Sequence, residues 1–178
     1  MRRLLDFAKP APLGIEPVWI CRLLDETLEF LSSECLRQGV EVERSYVSQE
    51  ILLADPQQLR QVFLNLFLNS LEAMERSGLL SVSTNQHGDT LTVMIKDTGS
   101  GISKDHLDRI FEPFFTTKSQ GTGLGLSVVK NILAEHSATI HLESDGKTGT
   151  CCTVKFPIKT TVSEPQSSTH SKVVLQQR

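Results

Sequence analysis

The sequence predicts an α+β domain arranged as a two-layer α/β sandwich, in which about three helices cover one face of a mixed, mostly antiparallel sheet. Two observations support this prediction. Segments with helical periodicity are separated by short strands, and the two strand pairs in the second half are joined by glycine-containing turns at 87–89 and 145–149 that are typical of hairpins. The 178 residues suffice for one domain with a substantial core.

The first element that the pattern predicts is a helix over residues 18–38. Its apolar side chains recur every three or four positions, and Gly39 suits the cap at its end. The segment before it contains several prolines, so we interpret residues 1–15 as the end of a helix followed by a linker. The domain itself is therefore expected to begin at residue 16.

Asp55-Pro56 is a strong helix start, because the carboxylate can cap the helix and proline fits its first turn. We predict a long helix over 55–77 that ends before Gly78. The chain becomes rich in Ser, Thr and Gln after residue 158, so we expect the domain to cover 16–158 and to be followed by a disordered tail over 159–178. The other expected elements are strands at 40–46, 51–54, 79–86, 90–97, 139–144 and 150–156, and helices at 103–110 and 122–136.

Composition argues against several classes of function. The formal net charge of −3 gives no footprint for nucleic acid or an anionic membrane. Four cysteines occur without the spacing of a zinc site, and we expect them to be reduced thiols. Apolar runs fall short of the ~20 residues that span a bilayer. We therefore expect this piece to be soluble and cytoplasmic, whether or not its parent protein is anchored in a membrane.

The predicted helix over 55–77 is apolar around most of its circumference, and its polar residues fall on one stripe. They lie within a sector of about 60°. The stripe is either an ordinary solvated face or part of a binding site. Asparagine is a poor helix former, and its amide oxygen suits a magnesium ion that already carries phosphate charge, so both interpretations stay open. The stripe consists of Gln58, Gln61, Asn65, Asn69, Glu72 and Arg76.

Two glycine-bearing loops follow this helix. The first, Asp97-Thr98-Gly99-Ser100-Gly101-Ile102, ends a predicted strand, where the carboxylate is either a ligand for an amine or the cap of a tight turn. The second, Gly121-Thr122-Gly123-Leu124-Gly125-Leu126, opens a predicted helix whose free backbone N–H groups and dipole suit a phosphate. This second loop lacks the preceding strand of a dinucleotide-binding motif and the lysine of a Walker loop.

Three phenylalanines lie between the two loops, in Phe111-Glu112-Pro113-Phe114-Phe115-Thr116-Thr117-Lys118. A cluster of this kind, without helical or strand periodicity, either fills the core or forms an exposed docking surface. Lys118 is the only cation of the segment and is suited to meet a phosphate. A mobile segment hinged by glycines over an anion site would act as a lid.

The order of these motifs resembles the ATP-binding domain of sensor histidine kinases. An asparagine-rich helix, Asp-x-Gly-x-Gly, a phenylalanine loop and Gly-x-Gly-x-Gly follow one another within residues 16–158. The resemblance implies the Bergerat ATP-binding fold, which these kinases share with type II topoisomerases, a heat-shock chaperone and mismatch-repair proteins. Residues 4–10, Leu-Leu-Asp-Phe-Ala-Lys-Pro, are similar to the end of the dimerisation helix of nitrogen-regulator-type kinases.

The resemblance implies a role for each motif residue, with ATP and Mg²⁺ as cofactors. Asn69 corresponds to the magnesium ligand, Asn65 to its polar partner near the phosphates, and Asp97 to the carboxylate that holds the adenine amino group. We assign catalysis to Asn65, Asn69 and Lys118, while Phe111, Phe114 and Phe115 correspond to the aromatic box. The implied nucleotide contacts are Asn65, Asn69, Glu72, Ala73, Asp97, Gly99, Gly101, Ile102, Phe111, Thr117, Lys118, Gly121, Thr122, Gly123, Leu124, Gly125, Leu126 and Thr150.

Three departures from the family pattern matter. Glu72 stands where many of these kinases have lysine, and Ser137-Ala138 replaces the usual Gly-Gly, which we expect to affect a turn but not the site. The five histidines lack the acidic neighbour and nearby Asn-Pro of a phosphoacceptor, so we expect them to be surface or packing residues. The resemblance then implies that the γ-phosphoryl group passes to a histidine on a separate dimerisation domain. It also implies a response regulator downstream, a homodimeric parent and a monomeric fragment.

Two other functions fit the same motifs. An ATP hydrolase of this superfamily needs a glutamate one turn before the magnesium asparagine to activate water, and that position is Asn65, which cannot take a proton. A non-catalytic nucleotide-binding or partner-switching module is the other alternative, and the intact glycines and Asn69 argue against it. Transfer to an external histidine is the function that we expect.

Overall fold

A mixed sheet of five strands forms one layer of the protein in the computed structural model, which describes residues 13–46, 51–118 and 121–158. Its strands lie in the order β2-β4-β5-β7-β6, and β1 and β3 form a separate two-stranded sheet. The elements, in chain order, are β1 (Glu16–Trp19), α1 (Ile20–Phe30), α2 (Ser32–Gln38), β2 (Val40–Tyr46), β3 (Ile51–Ala54), α3 (Pro56–Ala73), β4 (Gly78–His87), β5 (Thr90–Asp97), α4 (Lys104–Leu107), α5 (Gly125–Glu135), β6 (Thr139–Ser144) and β7 (Thr150–Pro157).

Within the described strands, the large sheet is parallel where β2 meets β4 and antiparallel between all its other neighbours. A parallel pair needs a crossover connection, and α3 lies in the segment that makes it. The pairs β4–β5 and β6–β7 are hairpins, as both turns predicted. Since β5 pairs with β7, the end of one strand at Asp97 lies beside the start of the other at Thr150.

Helices α1, α3 and α5 pack on one face of the large sheet and bury a continuous apolar core with it. The largest fully buried side chains include Phe63 and Phe67 of α3 and Phe156 of β7. The ring centroids of Phe63 and Phe67 lie 6.3 Å apart, and those of Phe63 and Phe156 lie 6.4 Å apart. These three longer helices on a mostly antiparallel sheet confirm the predicted two-layer fold.

The helix predicted over 18–38 is a short strand followed by two helices. Val18 and Trp19 belong to β1, which pairs with β3 in antiparallel register. The helical path is interrupted at Leu31 (φ −93°, ψ 2°), whose side chain is buried. The periodic pattern missed both features, because β1 has one buried side chain among four residues and Leu31 fits the apolar spacing of a continuous helix.

Helix α3 begins at Pro56 with Asp55 as its N-cap, as predicted, but it ends at Ala73, before the predicted end at Ser77. In a continued helix, the Ala73 carbonyl would accept a hydrogen bond from the N–H group of Ser77. Instead it accepts one from Ser100 N at 3.0 Å, while Ser77 N donates to the Gln38 carbonyl at 2.7 Å. Partners that are distant in sequence therefore end the helix.

The other predicted elements agree with the structure within a few residues, although α4 and α5 are shorter than expected. None of the described cysteines forms a disulfide. Among the described helices, none combines the length and the apolar character that crossing a bilayer requires. The expected tail over 159–178 and all but the last residues of the expected linker lie outside the described residues.

Candidate functional site

The polar stripe of α3 is partly covered by the rest of the protein. Asn65, Asn69 and the terminal Ala73 are half-buried, whereas Glu72 is exposed. Their spacing places all four along one edge of α3, towards its C-terminal end. Three other segments of the chain contact this edge.

The first of these segments is the start of α5, which lies beside Asn65. A Cβ atom at Gly125 would lie 3.1 Å from the Asn65 Oδ1 atom, so glycine permits the close approach. The Asn65 amide nitrogen donates to the Gln61 carbonyl at 2.9 Å. Leu124 occupies the N-cap position of α5, and no side chain of the described residues caps the first turn. The backbone N–H groups of that turn are therefore suited to bind an anion.

The second segment is the connection between α4 and α5, residues 111–118 and 121–124, which we call the lid. Lys118 Nζ donates to Asn69 Oδ1 at 3.2 Å and forms an ion pair with the Glu72 carboxylate. The Lys118 carbonyl accepts a hydrogen bond from Gly121 N at 3.2 Å. This bond connects the lysine to the second glycine-bearing loop, residues 121–126, which we call the glycine loop. The cation of the lid thus lies against the amide oxygen that the sequence predicts as a magnesium ligand.

The third segment is the loop that begins at Asp97, the last residue of β5, whose side chain is buried (4% exposed). Its Oδ1 atom accepts hydrogen bonds from the backbone N–H groups of Gly99 at 3.0 Å and Thr150 at 3.1 Å. Its Oδ2 atom takes part in no hydrogen bond within the described ranges. One oxygen therefore caps a tight turn, which is one of the two interpretations of the sequence, and the other oxygen has acceptor capacity left. Its role as an acceptor for a ligand stays a prediction.

Glycines allow this loop to pack closely against α3 and against the start of β7. A Cβ atom at Gly99 would lie 2.7 Å from the Cβ atom of Ala73, and the adjacent Ser100 N donates to the Ala73 carbonyl. Gly149 adopts φ +113°, and a Cβ atom there would lie 2.0 Å from the Asp97 carbonyl oxygen. A larger side chain at either glycine would push the loop away from its neighbour.

Gly101 and Ile102 attach the other end of the loop to the turn between β6 and β7. Ile102 N donates to Ser144 Oγ at 2.8 Å, and a Cβ atom at Gly101 would lie 2.7 Å from the same oxygen. Nothing in the sequence pattern marks Ser144, since it belongs to none of the motifs and its partners are backbone groups.

The three phenylalanines of the lid have different environments. Phe111 is half-buried, with Lys130 Nζ 5.6 Å from its ring centroid, and Phe115 meets the His106 ring edge-on at 5.5 Å. Phe114 is 75% exposed and adopts φ +68°, a region that favours glycine. Two rings therefore contact side chains of α4 and α5, and the third faces solvent. None of the three belongs to the main hydrophobic core.

The glycine loop holds Phe114 in this conformation. Phe114 N donates to the Gly123 carbonyl at 2.9 Å, and a Cβ atom at Gly123 would lie 2.4 Å from the Phe114 carbonyl carbon. The side chain of Leu126 packs against the core. A ligand at the start of α5 would therefore meet the backbone of Leu126 and not its side chain. The remaining lid residues that were predicted to contact the nucleotide are exposed. They are Thr117, Thr122 and Leu124.

Comparisons with known proteins agree with this arrangement. Residues 54–160 match the family described as histidine kinase-, DNA gyrase B-, and HSP90-like ATPase. Sensor histidine kinase ZraS of Escherichia coli K12 is 37% identical over 166 residues, which cover 92% of this chain and 35% of ZraS. The nucleotide-free catalytic domain of histidine kinase ThkA superposes with a TM-score of 0.75 at 25% identity, over 82% of this chain and 96% of that domain. Full-length ShkA in complex with AMPPNP superposes with a TM-score of 0.75 at 28% identity, over 85% of this chain and 32% of ShkA.

The chain spans about a third of the length of ZraS. The family match covers more than half of the chain and runs from the end of β3 through β7. It contains α3, the Asp97 loop, the lid and the start of α5, which are the segments that meet in the structure. The chain therefore belongs to the histidine kinase-, DNA gyrase B-, and HSP90-like ATPase family.

Proposed function

We propose that this chain is the ATP-binding catalytic domain of a sensor histidine kinase and that it transfers the γ-phosphoryl group of ATP to a histidine on a separate dimerisation domain. We assign residues 16–158 to the catalytic domain. One observation carries the proposal: the start of α5, the lid lysine and the Asp97 loop all contact the same edge of α3. The similarity to ZraS and ThkA, both named as histidine kinases, supports it further.

Asp97 is the residue that we expect to recognise adenine. Its Oδ2 atom can accept a hydrogen bond from the exocyclic amino group, while Oδ1 is held by the N–H groups of Gly99 and Thr150. Gly101 and Ile102 lie on the same loop and are expected to shape the wall beside the base. The complex of ShkA with AMPPNP supports an adenine nucleotide as the ligand.

We expect Asn69 to hold a magnesium ion together with the phosphates of ATP. The residues fit this ion, because the amide oxygen of Asn69 is a neutral, hard ligand on a half-buried part of α3. When bound, the ion neutralises phosphate charge. Lys118 has to release Asn69 Oδ1 for this to happen, and its ammonium group then becomes available to the phosphates. The first-turn N–H groups of α5 are expected to neutralise the rest of the phosphate charge.

The residues near the phosphates favour transfer over hydrolysis. Asn65 can orient a group by hydrogen bonding, but it cannot take a proton from water as the glutamate of a hydrolase does. The contribution of this chain is therefore positioning and charge neutralisation. The exposed Phe114 offers the dimerisation domain an apolar contact beside the glycine loop.

The proposed setting is a two-component system. The parent protein would be a homodimer that passes its phosphoryl group to a response regulator, while the chain alone would be a monomer. Thiols without disulfides are usual in the cytoplasm, which supports our expectation that the domain works there.

The test combines the chain, Mg²⁺ and ATP labelled on its γ-phosphorus with separately produced dimerisation domains of sensor histidine kinases, beginning with that of ZraS. We expect acid-labile, base-stable label on the histidine of the added domain and little free phosphate. Asn69→Ala should abolish transfer, whereas Asn85→Ala, which changes an exposed amide on β4, should leave it intact. Nucleotide binding without labelling of any supplied domain contradicts the kinase proposal and favours a non-catalytic module. Fast release of labelled phosphate by the chain alone favours a hydrolase.

A further inference from the structure

The hydroxyl group of Ser144 connects two loops that meet at the proposed adenine side of the site. Ser144 ends β6 and pairs in register with Thr150 of β7. Its Oγ atom donates to the Gly149 carbonyl at 2.7 Å and accepts hydrogen bonds from Ile102 N at 2.8 Å and Gly146 N at 3.3 Å. A serine hydroxyl has one hydrogen to donate and two lone pairs. All of this capacity is used, and every partner is a backbone group.

These bonds connect two loops that a second side chain also connects. The second side chain is the carboxylate of Asp97, whose Oδ1 atom accepts the N–H group of Thr150. The loops are in direct contact between the two connections, because a Cβ atom at Gly149 would lie 2.0 Å from the Asp97 carbonyl oxygen. A movement of the turn between β6 and β7 would therefore shift Gly149 and Thr150, and with them the orientation of the carboxylate.

We propose that Ser144 is a positioning residue of the adenine-binding side, which acts through Ile102 and the Gly149–Thr150 backbone on the orientation of Asp97. The inference rests on the proposed nucleotide function and goes beyond it, since Ser144 is not one of the residues assigned to ATP and acts only through residues that are. Loss of the hydroxyl leaves the N–H group of Ile102 and the carbonyl of Gly149 without this partner. The free oxygen of Asp97 is then no longer held in the direction that an adenine amino group requires.

The test compares two ligands in the full chain with Mg²⁺ present, ATP and inorganic tripolyphosphate, by titration calorimetry. We expect Ser144→Ala to weaken ATP binding about five- to tenfold, the effect of losing one or two ordinary hydrogen bonds. Binding of tripolyphosphate, which has no base, should stay unchanged. Ser144→Thr restores a hydroxyl and should recover most of the ATP affinity. Ser83→Ala is the matched control, because Ser83 is a half-buried serine of β4 whose hydroxyl makes no hydrogen bond within the described ranges.

A double variant separates positioning from general damage to the fold. If Ser144 acts through Asp97, Ser144→Ala should cause little further loss of ATP affinity in an Asp97→Asn background. Three results would overturn the inference: unchanged ATP affinity in Ser144→Ala, an equal loss for ATP and tripolyphosphate, or fully additive losses in the double variant. Failure of the wild-type chain to bind ATP would instead overturn the proposed function.

Discussion

The carboxylate of Asp97 is buried as a side chain, yet its Oδ2 atom keeps access to solvent. Within the described residues, the fully buried side-chain oxygen and nitrogen atoms without a hydrogen-bond partner are those of Gln38 and Gln58, and Asp97 Oδ2 is not among them. This oxygen is therefore not completely sealed from solvent, which is a requirement for the acceptor role proposed for it. Since Oδ1 is held by two backbone N–H groups, the direction of Oδ2 is fixed before any ligand arrives.

Asp97→Asn tests the assignment of this oxygen at the scale of one atom. The variant keeps an acceptor for the backbone N–H groups of Gly99 and Thr150, but it places an amide donor where the adenine amino group would donate. We expect the Kd for ATP to rise at least about tenfold, because a charge-assisted hydrogen bond is lost and two donors then face each other. Titration calorimetry measures the change, with the exposed turn variant Asp89→Asn as control. Equal affinities in wild type and Asp97→Asn would remove the adenine assignment.

Ser137 adopts a backbone conformation that glycine tolerates better. It follows α5 at φ +56°, and the next residue, Ala138, donates its N–H group to the Leu133 carbonyl at 2.8 Å. Ser137-Ala138 therefore forms the left-handed turn that ends the helix, although the resemblance to histidine kinases leads us to expect Gly-Gly at these positions. We expect Ser137→Gly to raise the free energy of unfolding by about 0.5–1 kcal/mol in urea titrations. Ser33→Gly, in the exposed face of α2, should lower it instead, and a loss of stability in Ser137→Gly would contradict the prediction.

At the scale of elements, the start of α3 fixes the position of the helix that bears the proposed metal ligand. Asp55 Oδ1 accepts hydrogen bonds from Gln57 N at 3.0 Å and Gln58 N at 3.1 Å, and Oδ2 accepts one from Gly14 N at 3.0 Å. The N–H group of Asp55 itself donates to His136 Nε2 at 3.0 Å, which attaches α3 to the end of α5. His136 is thus a packing histidine, as the sequence predicted.

Replacing the cap by alanine, Asp55→Ala, should lower the free energy of unfolding by about 1–2 kcal/mol. The hydrogen bond from Gln58 N, followed by those from Gly14 N and Gln57 N, lowers the pKa of the Asp55 carboxyl. Its ionised form therefore stabilises the fold above the ordinary pKa of about 3.9, and this contribution is lost as the pH falls through the lowered pKa of the folded state. Urea titrations at neutral pH and at about pH 3 should show a smaller difference between wild type and Asp55→Ala in acid. A difference that does not shrink in acid would contradict this origin.

The ion pair between Lys118 of the lid and Glu72 of α3 predicts that removing the negative charge will strengthen nucleotide binding. Glu72 holds Lys118 and places a negative charge beside the proposed phosphate site, at a position where many, though not all, histidine kinases are expected to have lysine. Glu72→Gln should therefore strengthen binding of Mg-ATP about two- to fivefold, the range of an exposed ion pair. Calorimetry at low ionic strength measures the effect, and Glu75→Gln is the control, since Glu75 is exposed and lies just beyond α3. Weaker binding in Glu72→Gln would mean that the carboxylate helps to hold the metal.

Sequence patterns predicted the elements whose determinants are local. Asp55-Pro56 marks the start of α3 through bonds to the next residues, and the glycine turns at 87–89 and 145–149 mark the hairpins. The end of α3 could not be predicted in the same way, because the Ala73 carbonyl is taken by Ser100, which belongs to a later loop. Strand β1 was not predicted for a related reason. Its partner is β3, and two helices and another strand separate β1 from β3 along the chain.

The same distinction applies to the candidate site. Asp97, Asn69 and the glycine loop belong to motifs whose order is visible in the sequence, so the sequence alone predicts them. Ser144 could not, because its role depends on Ile102 and Gly149 coming together in space. The contact of Lys118 with Asn69 also depends on how the lid folds back onto α3.

At the scale of the whole molecule, the site exists only when the fold is complete. Its parts come from α3, from the end of β5, from the start of α5 and from the start of β7. Along the chain they are separated by β4, by α4 with the lid, and by β6. Unfolding of the sheet therefore separates the protein groups that are proposed to bind the nucleotide. A ligand that binds the folded chain and not the unfolded one raises the free energy of unfolding by mass action.

This linkage gives a prediction that involves the entire domain. At an ATP concentration of roughly 100 times the Kd, with Mg²⁺ in excess, the stabilisation should reach about 2.7 kcal/mol. For a chain of this size, that corresponds to a rise of roughly 5–10 °C in the midpoint of thermal unfolding, measured by circular dichroism or calorimetry. Chelation of Mg²⁺ and the variant Asn69→Ala should each remove a similar part of the rise, because both act on the same proposed contact, while Asn85→Ala should keep all of it. If chelation still reduces the rise in Asn69→Ala as strongly as in wild type, the metal is held elsewhere and the assignment of Asn69 is wrong.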